Sequence, residues 1–248
     1  MEWEEELRKT IVSVTKKIPD GGILLFSGGL DSSLLAFLAS IHGKQITLFS
    51  VGTVSSHDKS WTHQAASIIG LPLEFREIGE NEVISGLKEI KRMFQSEDAL
   101  TLLIELPSYF ACKYSERRSI VSGQGSDELF LGYRKYDLED TSKMDLERVM
   151  NKLIPMEKEM GKAFNKEFFY PYLEGNVISV AEKIPRDLKV RGSQRKFILR
   201  SVALSLGLDE RIALKPKKAS QYSSGLKDLV EKVARREGKR IYQFIRDL

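Results

Sequence analysis

The sequence predicts an α/β protein, with a parallel sheet carrying helices on both faces, followed by a mostly helical C-terminal part. Three observations predict it. Short apolar runs alternate with helical patterns through the first half, the order that a parallel sheet with crossover helices requires. Two of those runs end in glycine-rich turns that lead directly into helices. From about Asp137 onward the pattern is helices and loops, so a sheet core over about 18–135 and a helical part over about 136–248 are expected to form a single domain.

Between Glu2 and Lys17, Trp3, Leu7, Ile11 and Val14 recur at helical spacing, and Pro19-Asp20-Gly21-Gly22 ends that helix. Ile23 to Phe26, bounded by glycines, suits a strand buried on both faces. The turn Ser27-Gly28-Gly29-Leu30-Asp31-Ser32-Ser33 follows, then a helix over Leu34 to Ile41. The unit recurs as Ile46 to Val51 with His57 to Ile69, and as Leu73 to Ile78 with Asn81 to Phe94. An apolar helix over Asp98 to Tyr114 precedes a fourth strand, Ser119-Ile120-Val121, which runs into Ser122-Gly123-Gln124-Gly125. Later helices are predicted over Gln194 to Leu206 and Leu226 to Glu237.

Composition narrows the function classes. With 42% hydrophobic and 30% charged residues in 248, the chain reads as a globular protein rather than a disordered one. The net charge of +4 is spread along the chain, which permits an anionic ligand without indicating nucleic acid. Cys112 is the sole cysteine, which excludes an intramolecular disulfide, a CxxC pair and a thiolate zinc site, and its apolar neighbours Tyr109, Phe110 and Ala111 mark it as a core thiol. His42, His57 and His63 share no metal-ligand spacing, and Trp61, at helical spacing from Ala65, reads as core. Glu4, Glu5 and Glu6 stand where a signal peptide needs basic residues, and no apolar run approaches the ~20 residues that cross a bilayer. A cytoplasmic protein with no membrane contact is expected.

The first glycine turn sits between an apolar strand and a helix, where backbone N–H groups and the helix dipole can hold a phosphate. Hydroxyls of Ser27, Ser32 and Ser33 can add donors, each bond to a charged oxygen being worth roughly 1.5–3 kcal/mol. No Gly-Lys-Ser/Thr follows, so a Walker A loop is excluded. The plain alternative is an ordinary turn capped by Asp31. The full string resembles the PP-loop, or N-type ATP pyrophosphatase, superfamily, whose members bind ATP and release AMP and pyrophosphate. The second turn, Ser122-Gly123-Gln124-Gly125-Ser126-Asp127-Glu128-Leu129-Phe130-Leu131-Gly132-Tyr133, resembles the signature of the asparagine synthetase family. Val51-Gly52, Asp98 to Pro107, and Lys215-Pro216-Lys217 with Gly225 fit the same family more loosely.

That resemblance implies an adenine nucleotide alpha hydrolase-like fold and an ATP site built from Phe26, Ser27, Gly28, Gly29, Asp31, Ser32, Ser33, Val51, Gly52, Ser122, Gly123 and Lys196. A carboxylate about 4 Å from a phosphate oxygen costs on the order of 4 kcal/mol at an effective dielectric near 20, so Asp31 and Asp127 beside a triphosphate need a cation between them. Mg²⁺ is the natural choice, with both aspartates as ligands. The resemblance also implies that Lys217 stabilises charge near the α-phosphate, and it leaves Lys189 as a further residue facing the nucleotide.

Two positions depart from the family. Gln124 stands where the family has a glutamate that helps deprotonate the attacking nitrogen, and an amide takes no proton. Phe169, in Glu167-Phe168-Phe169-Tyr170-Pro171, replaces an arginine that can fork onto a carboxylate. The chain has neither the N-terminal cysteine nor the domain of glutamine-hydrolysing members, so nitrogen is expected as free ammonia, from a separate glutaminase subunit, or as an amine on the acceptor. The function so implied is an ATP-dependent amide-forming ligase acting on aspartate or another small carboxylate. A PP-loop enzyme acting on a nucleic acid or nucleobase, and an ATP-binding regulator without chemistry, remain as alternatives. The sequence leaves a homodimer open.

Overall fold

Strands β1 (Ile23–Leu25), β2 (Thr47–Gly52), β3 (Leu73–Glu77), β4 (Ser119–Val121) and β5 (Glu167–Phe169) form one sheet in the order β3-β2-β1-β4-β5. All of its pairings are parallel. The structure is a computed structural model that describes residues 2–54, 56, 59–216 and 224–248. Helices α1 (Glu2–Thr15), α2 (Leu30–Ile41), α3 (Lys59–Ile69), α4 (Glu80–Phe94) and α5 (Ala99–Tyr114) belong to the first half.

The strands alternate their side chains between two cores, as a pleated strand must. Leu24, Leu48 and Val121 join Leu7, Ile11, Leu34 and Leu35 from α1 and α2 on one face. Ile23, Phe49 and Ile120 join Val83, Leu87, Leu102 and Leu106 from α4 and α5 on the other. Burial on both faces explains why these strands read as unbroken apolar runs.

The second half supplies α6 (Ser126–Leu129), α7 (Ser142–Arg148), α8 (Ile154–Ala163), α9 (Gly175–Lys183) and α10 (Arg186–Lys189). It continues with α11 (Phe197–Ser205), α12 (Glu210–Ala213), α13 (Leu226–Arg236) and α14 (Ile241–Asp247). A single π-helical turn, Val149–Leu153, joins α7 to α8. This half is mostly helical, as expected, but the expectation of helices and loops alone after Asp137 is corrected at two places. Strand β5 completes the sheet, pairing Ser119 with Glu167 and Val121 with Phe169. A hairpin of β6 (Val190–Arg191) and β7 (Gln194–Arg195) occupies the start of the helix expected from Gln194. Neither element exceeds three residues, too short for any periodicity to register.

The chain passes from β1 outward to β2 and β3 and then returns to β4 on the other side of β1. The reversal makes the β1–β4 boundary a topological switch point, where the two outgoing loops part and leave a crevice at the carboxyl ends of the strands. Both glycine turns leave the sheet there.

Candidate functional site

The Ser27–Gly29 loop leaves β1 in a conformation that glycine permits. Gly28 has φ +68, and a Cβ there would stand 3.0 Å from the Trp61 indole. Trp61 also donates its ring N–H to the Gly28 carbonyl at 2.8 Å, so the residue read as core props the loop as well as packing on the core. Within the loop, the Ser27 hydroxyl accepts from Gly29 N–H at 3.3 Å, and the Ser32 hydroxyl accepts from Ser27 N–H at 3.3 Å. Gly29 caps α2 without a side-chain acceptor, which leaves first-turn N–H groups for a ligand.

The second turn leaves β4 beside it. Ser122 N–H is held by the Phe169 carbonyl at 2.9 Å, and the Ser122 hydroxyl accepts from Gln124 N–H at 3.3 Å. Gly125 opens α6 at φ +88, with Leu173 so close behind that a Cβ would overlap it. Asp31 on α2 and Asp127 on α6 converge on Lys196, whose ammonium stands 2.6 Å from a carboxylate oxygen of each. The same ammonium donates to the Ser126 hydroxyl at 3.1 Å, and that hydroxyl donates to Asp31 at 3.0 Å. Tyr172, fully buried, donates its hydroxyl to the Asp31 carbonyl at 3.1 Å.

One cleft of about 530 Å³ collects these groups. Its walls include Phe26, Ser27, Asp31, Ser32 and Val51 on the β1 and β2 side, and Ser122, Gly123, Gln124 and Asp127 on the β4 side. Six residues of the implied site are not on the cleft wall: Gly28 and Gly29 within the loop, Gly52 at the end of β2, and Ser33, Lys196 and Lys189. Ser33 is completely buried and lies outside the cleft wall, because α2 turns it inward. Lys196 is 2% exposed and sits behind the two aspartates, so it meets carboxylates instead of the cleft. Lys189, on α10, lies outside the cleft wall, and its burial pushes its ammonium down to about 8. Gly52 ends β2 with Phe75 packed over its α-carbon.

Lys217 lies outside the described residues, as does His57. The described neighbours of Lys217 reach the site. Lys215 holds its ammonium 3.6 Å from the Trp61 ring centre, and Ser224 lines the cleft while its carbonyl accepts from Thr53 N–H at 3.0 Å. Arg200, one turn after Lys196, donates to the carbonyls of Ala213 and Lys215 and ties that segment to the Lys196 helix. Phe169 turns away from the cleft and packs on the core.

The cleft extends to groups that the sequence reading did not single out. Arg148, Val149 and Leu153 from the π-turn region and Ser108 and Glu157 from α5 and α8 line its far part. The Glu157 carboxylate, which accepts from the Ser108 hydroxyl, and Glu105 are almost fully buried. Burial holds both above the usual carboxylate range, and the charge of Glu157 raises Glu105 further. Glu105 carried a legible signal, an acid between Leu102, Leu103 and Leu106 in an apolar helix. Glu157 and Arg148 carried none, since each looks like a surface charge on an amphipathic helix.

Cys112 is buried in α5, and burial pushes its thiol up to about 12. His42 ends α2 as its C-cap, and His63 is exposed on α3. Among the described residues no three His, Cys, Asp or Glu gather as a metal-ligand group, and no helix is long and apolar enough to cross a membrane.

The family profile described as asparagine synthase matches residues 21–151 and 137–247. A protein named "Putative asparagine synthetase [glutamine-hydrolyzing] 1" from Methanocaldococcus jannaschii is 29% identical, the match covering 98% of this chain and 53% of that protein. An asparagine synthetase [glutamine-hydrolyzing] of Zea mays is 27% identical over 72% of this chain and 34% of its own length. The chain thus spans about half or less of the length of these curated relatives. A solved structure described as a predicted subunit of tRNA methyltransferase from Methanocaldococcus jannaschii aligns at 15% identity and a TM-score of 0.38, over 79% of this chain and 93% of that one.

Proposed function

Because the chain belongs to the asparagine synthase family, we propose that it binds ATP across the tips of β1 and β4 and uses it to make an amide. In this reading a carboxylate oxygen of the acceptor attacks the α-phosphorus, the bond to the bridging oxygen breaks, and pyrophosphate leaves. Ammonia or an amine then attacks the acyl carbon of the acyl-adenylate, giving amide and AMP. The observation that carries the reading is the meeting of two glycine turns at the switch point, with Asp31 and Asp127 drawn to one cleft through Lys196.

The roles follow from the chemistry of each group. The free N–H groups at the start of α2, with the Ser27 and Ser32 hydroxyls, would hold phosphate oxygens, while Val51 and Phe26 would face the base. Asp31 and Asp127 suit Mg²⁺. They are hard oxygen donors lining the cleft and partly exposed, and a carboxylate oxygen can bind a cation beside the hydrogen bonds it already accepts, here from Lys196 and, for Asp31, from Ser126. Bound there, Mg²⁺ would neutralise charge on the phosphate oxygens. Lys217 is proposed to stabilise charge that develops at the α-phosphate. Gln124, lining the cleft, can hydrogen-bond the incoming nitrogen but cannot take its proton, so the nucleophile must arrive as the free base.

Pyrophosphate release from Mg-ATP, measured across a panel of carboxylic acids with and without ammonia, tests the proposal. Release should depend on the acid, and Lys217→Ala should slow it by about 10²–10³ while ATP affinity holds. Release that ignores every acid, or a Lys217→Ala protein with unchanged release, would count against it.

A further inference from the structure

The same cleft is also walled by one stripe of α5. Leu100, Ile104 and Pro107 line it at helical spacing, and Val149 and Leu153 line it from the π-turn. From Leu100 to Pro107 the stripe runs about 10 Å at the rise of an α-helix. Leu100 is 38% exposed and Ile104 and Pro107 are half-buried, while Val149 and Leu153 are buried in a small cluster that Ile104 packs against, so the wall is apolar, backed by packed side chains and open at Leu100. At the N-terminal end of the stripe Arg148, itself a cleft residue, donates to the Thr101 hydroxyl at 2.9 Å and to Asp98 at 3.3 Å. Lys152 donates to the same Asp98 oxygen at 2.8 Å. Two cations against one carboxylate leave an excess positive charge at that end.

Aspartate would use little of this surface. Its two carboxylates and ammonium stand on a four-carbon frame with no apolar body. Phe169, which replaces the forked cation a small acid would want, is half-buried against the core and does not line the cleft. A longer acid matches the wall, because each buried methylene raises affinity by about fourfold.

We propose that the acid taken at this site carries an aliphatic or aromatic body of roughly six to eight carbons, laid along Leu100, Ile104 and Pro107, with a second anionic group at Arg148. The inference rests on the adenylation reading for its chemistry but not for its binding test. Calorimetric titration in the presence of α,β-methylene-ATP, which does not release pyrophosphate, would compare aspartate with straight-chain diacids of about four to about ten carbons and with monoacids of equal length. Affinity should climb by about fourfold per methylene until the wall is filled, and diacids should exceed monoacids. Arg148→Gln should remove the diacid advantage and leave the monoacids unchanged. Ile104→Asp should weaken long acids while α,β-methylene-ATP still binds, which also reports that the variant is folded.

Aspartate binding more tightly than every longer acid would overturn the inference, as would an Ile104→Asp protein that keeps its affinity for long acids. Pyrophosphate release with the same acids and ATP separates the two ideas. Long acids that bind without release leave the wall assignment standing and remove adenylation. Release driven by aspartate alone, with no gain along the series, does the reverse.

Discussion

Lys196 keeps its charge where burial alone would strip it. Its side chain is 2% exposed, and desolvation lowers its affinity for the proton, but Asp127 and Asp31 outweigh that and hold the ammonium above its ordinary 10.5. Removing one partner of a buried ion pair typically costs about 3–5 kcal/mol, because the other charges stay behind uncompensated. Lys196→Met should therefore lose about that much in urea unfolding, since two aspartates are left facing each other. The raised pKa gives the pH window. The stabilisation is complete below 10.5 and disappears as pH rises through the folded value, so the gap between wild type and variant should hold between about pH 6 and 9 and close only in stronger alkali. A variant as stable as wild type at neutral pH would mean that the pair contributes nothing. Gly132 guards the same cluster, for a Cβ there would stand 2.0 Å from Asp127 Oδ1 and 2.5 Å from Lys196 Cε.

The packing of α5 on α8 confines two acids together. Glu105 and Glu157 are 1% and 3% exposed, with the Cys112 thiol and Tyr170 near them. Both carboxyls titrate above their ordinary 4.5 in the fold, burial being the first cause. The native state therefore binds protons that the unfolded chain releases, and stability falls as pH rises from 4.5 toward the folded values. Glu105→Gln keeps the shape and removes the charge. Its melting temperature relative to wild type should rise between pH 5 and pH 8 in scanning calorimetry, and a gap that narrows with pH would show the acids to be charged at no cost. The loop after β1 depends on a neighbouring element in a similar way, since Trp61 of α3 occupies the space above Gly28.

On the scale of the molecule, the face of the sheet that carries Leu24 and Val121 is covered from both halves of the chain. Leu7 and Leu34 come from the first half, and Val177, Val202 and Ile212 from the second. With β5 also drawn from the second half, neither part buries its own core. The chain is expected to unfold in one step. Intrinsic fluorescence of Trp3 and Trp61 and far-UV circular dichroism should trace superimposable denaturation curves, and two separated transitions would divide 1–248 into two domains.

The order of strand, turn and helix through β4, the two glycine turns and the positions of Asp31 and Asp127 were legible from the sequence alone. Each is a local pattern, set by neighbours a few residues apart: an apolar run bounded by glycines, a carboxylate in a first helical turn. Tertiary structure decided what local pattern cannot carry. Lys196 meets Asp31 across 165 residues, Phe169 packs against the core while its carbonyl holds Ser122, and Ser33 faces inward where its neighbour Ser32 faces the cleft. A charged or polar residue on an amphipathic helix has the same sequence signature whether it meets solvent, a buried partner or a cleft. The path of the chain around the sheet chooses among these, because only that path sets which desolvated groups must find one another.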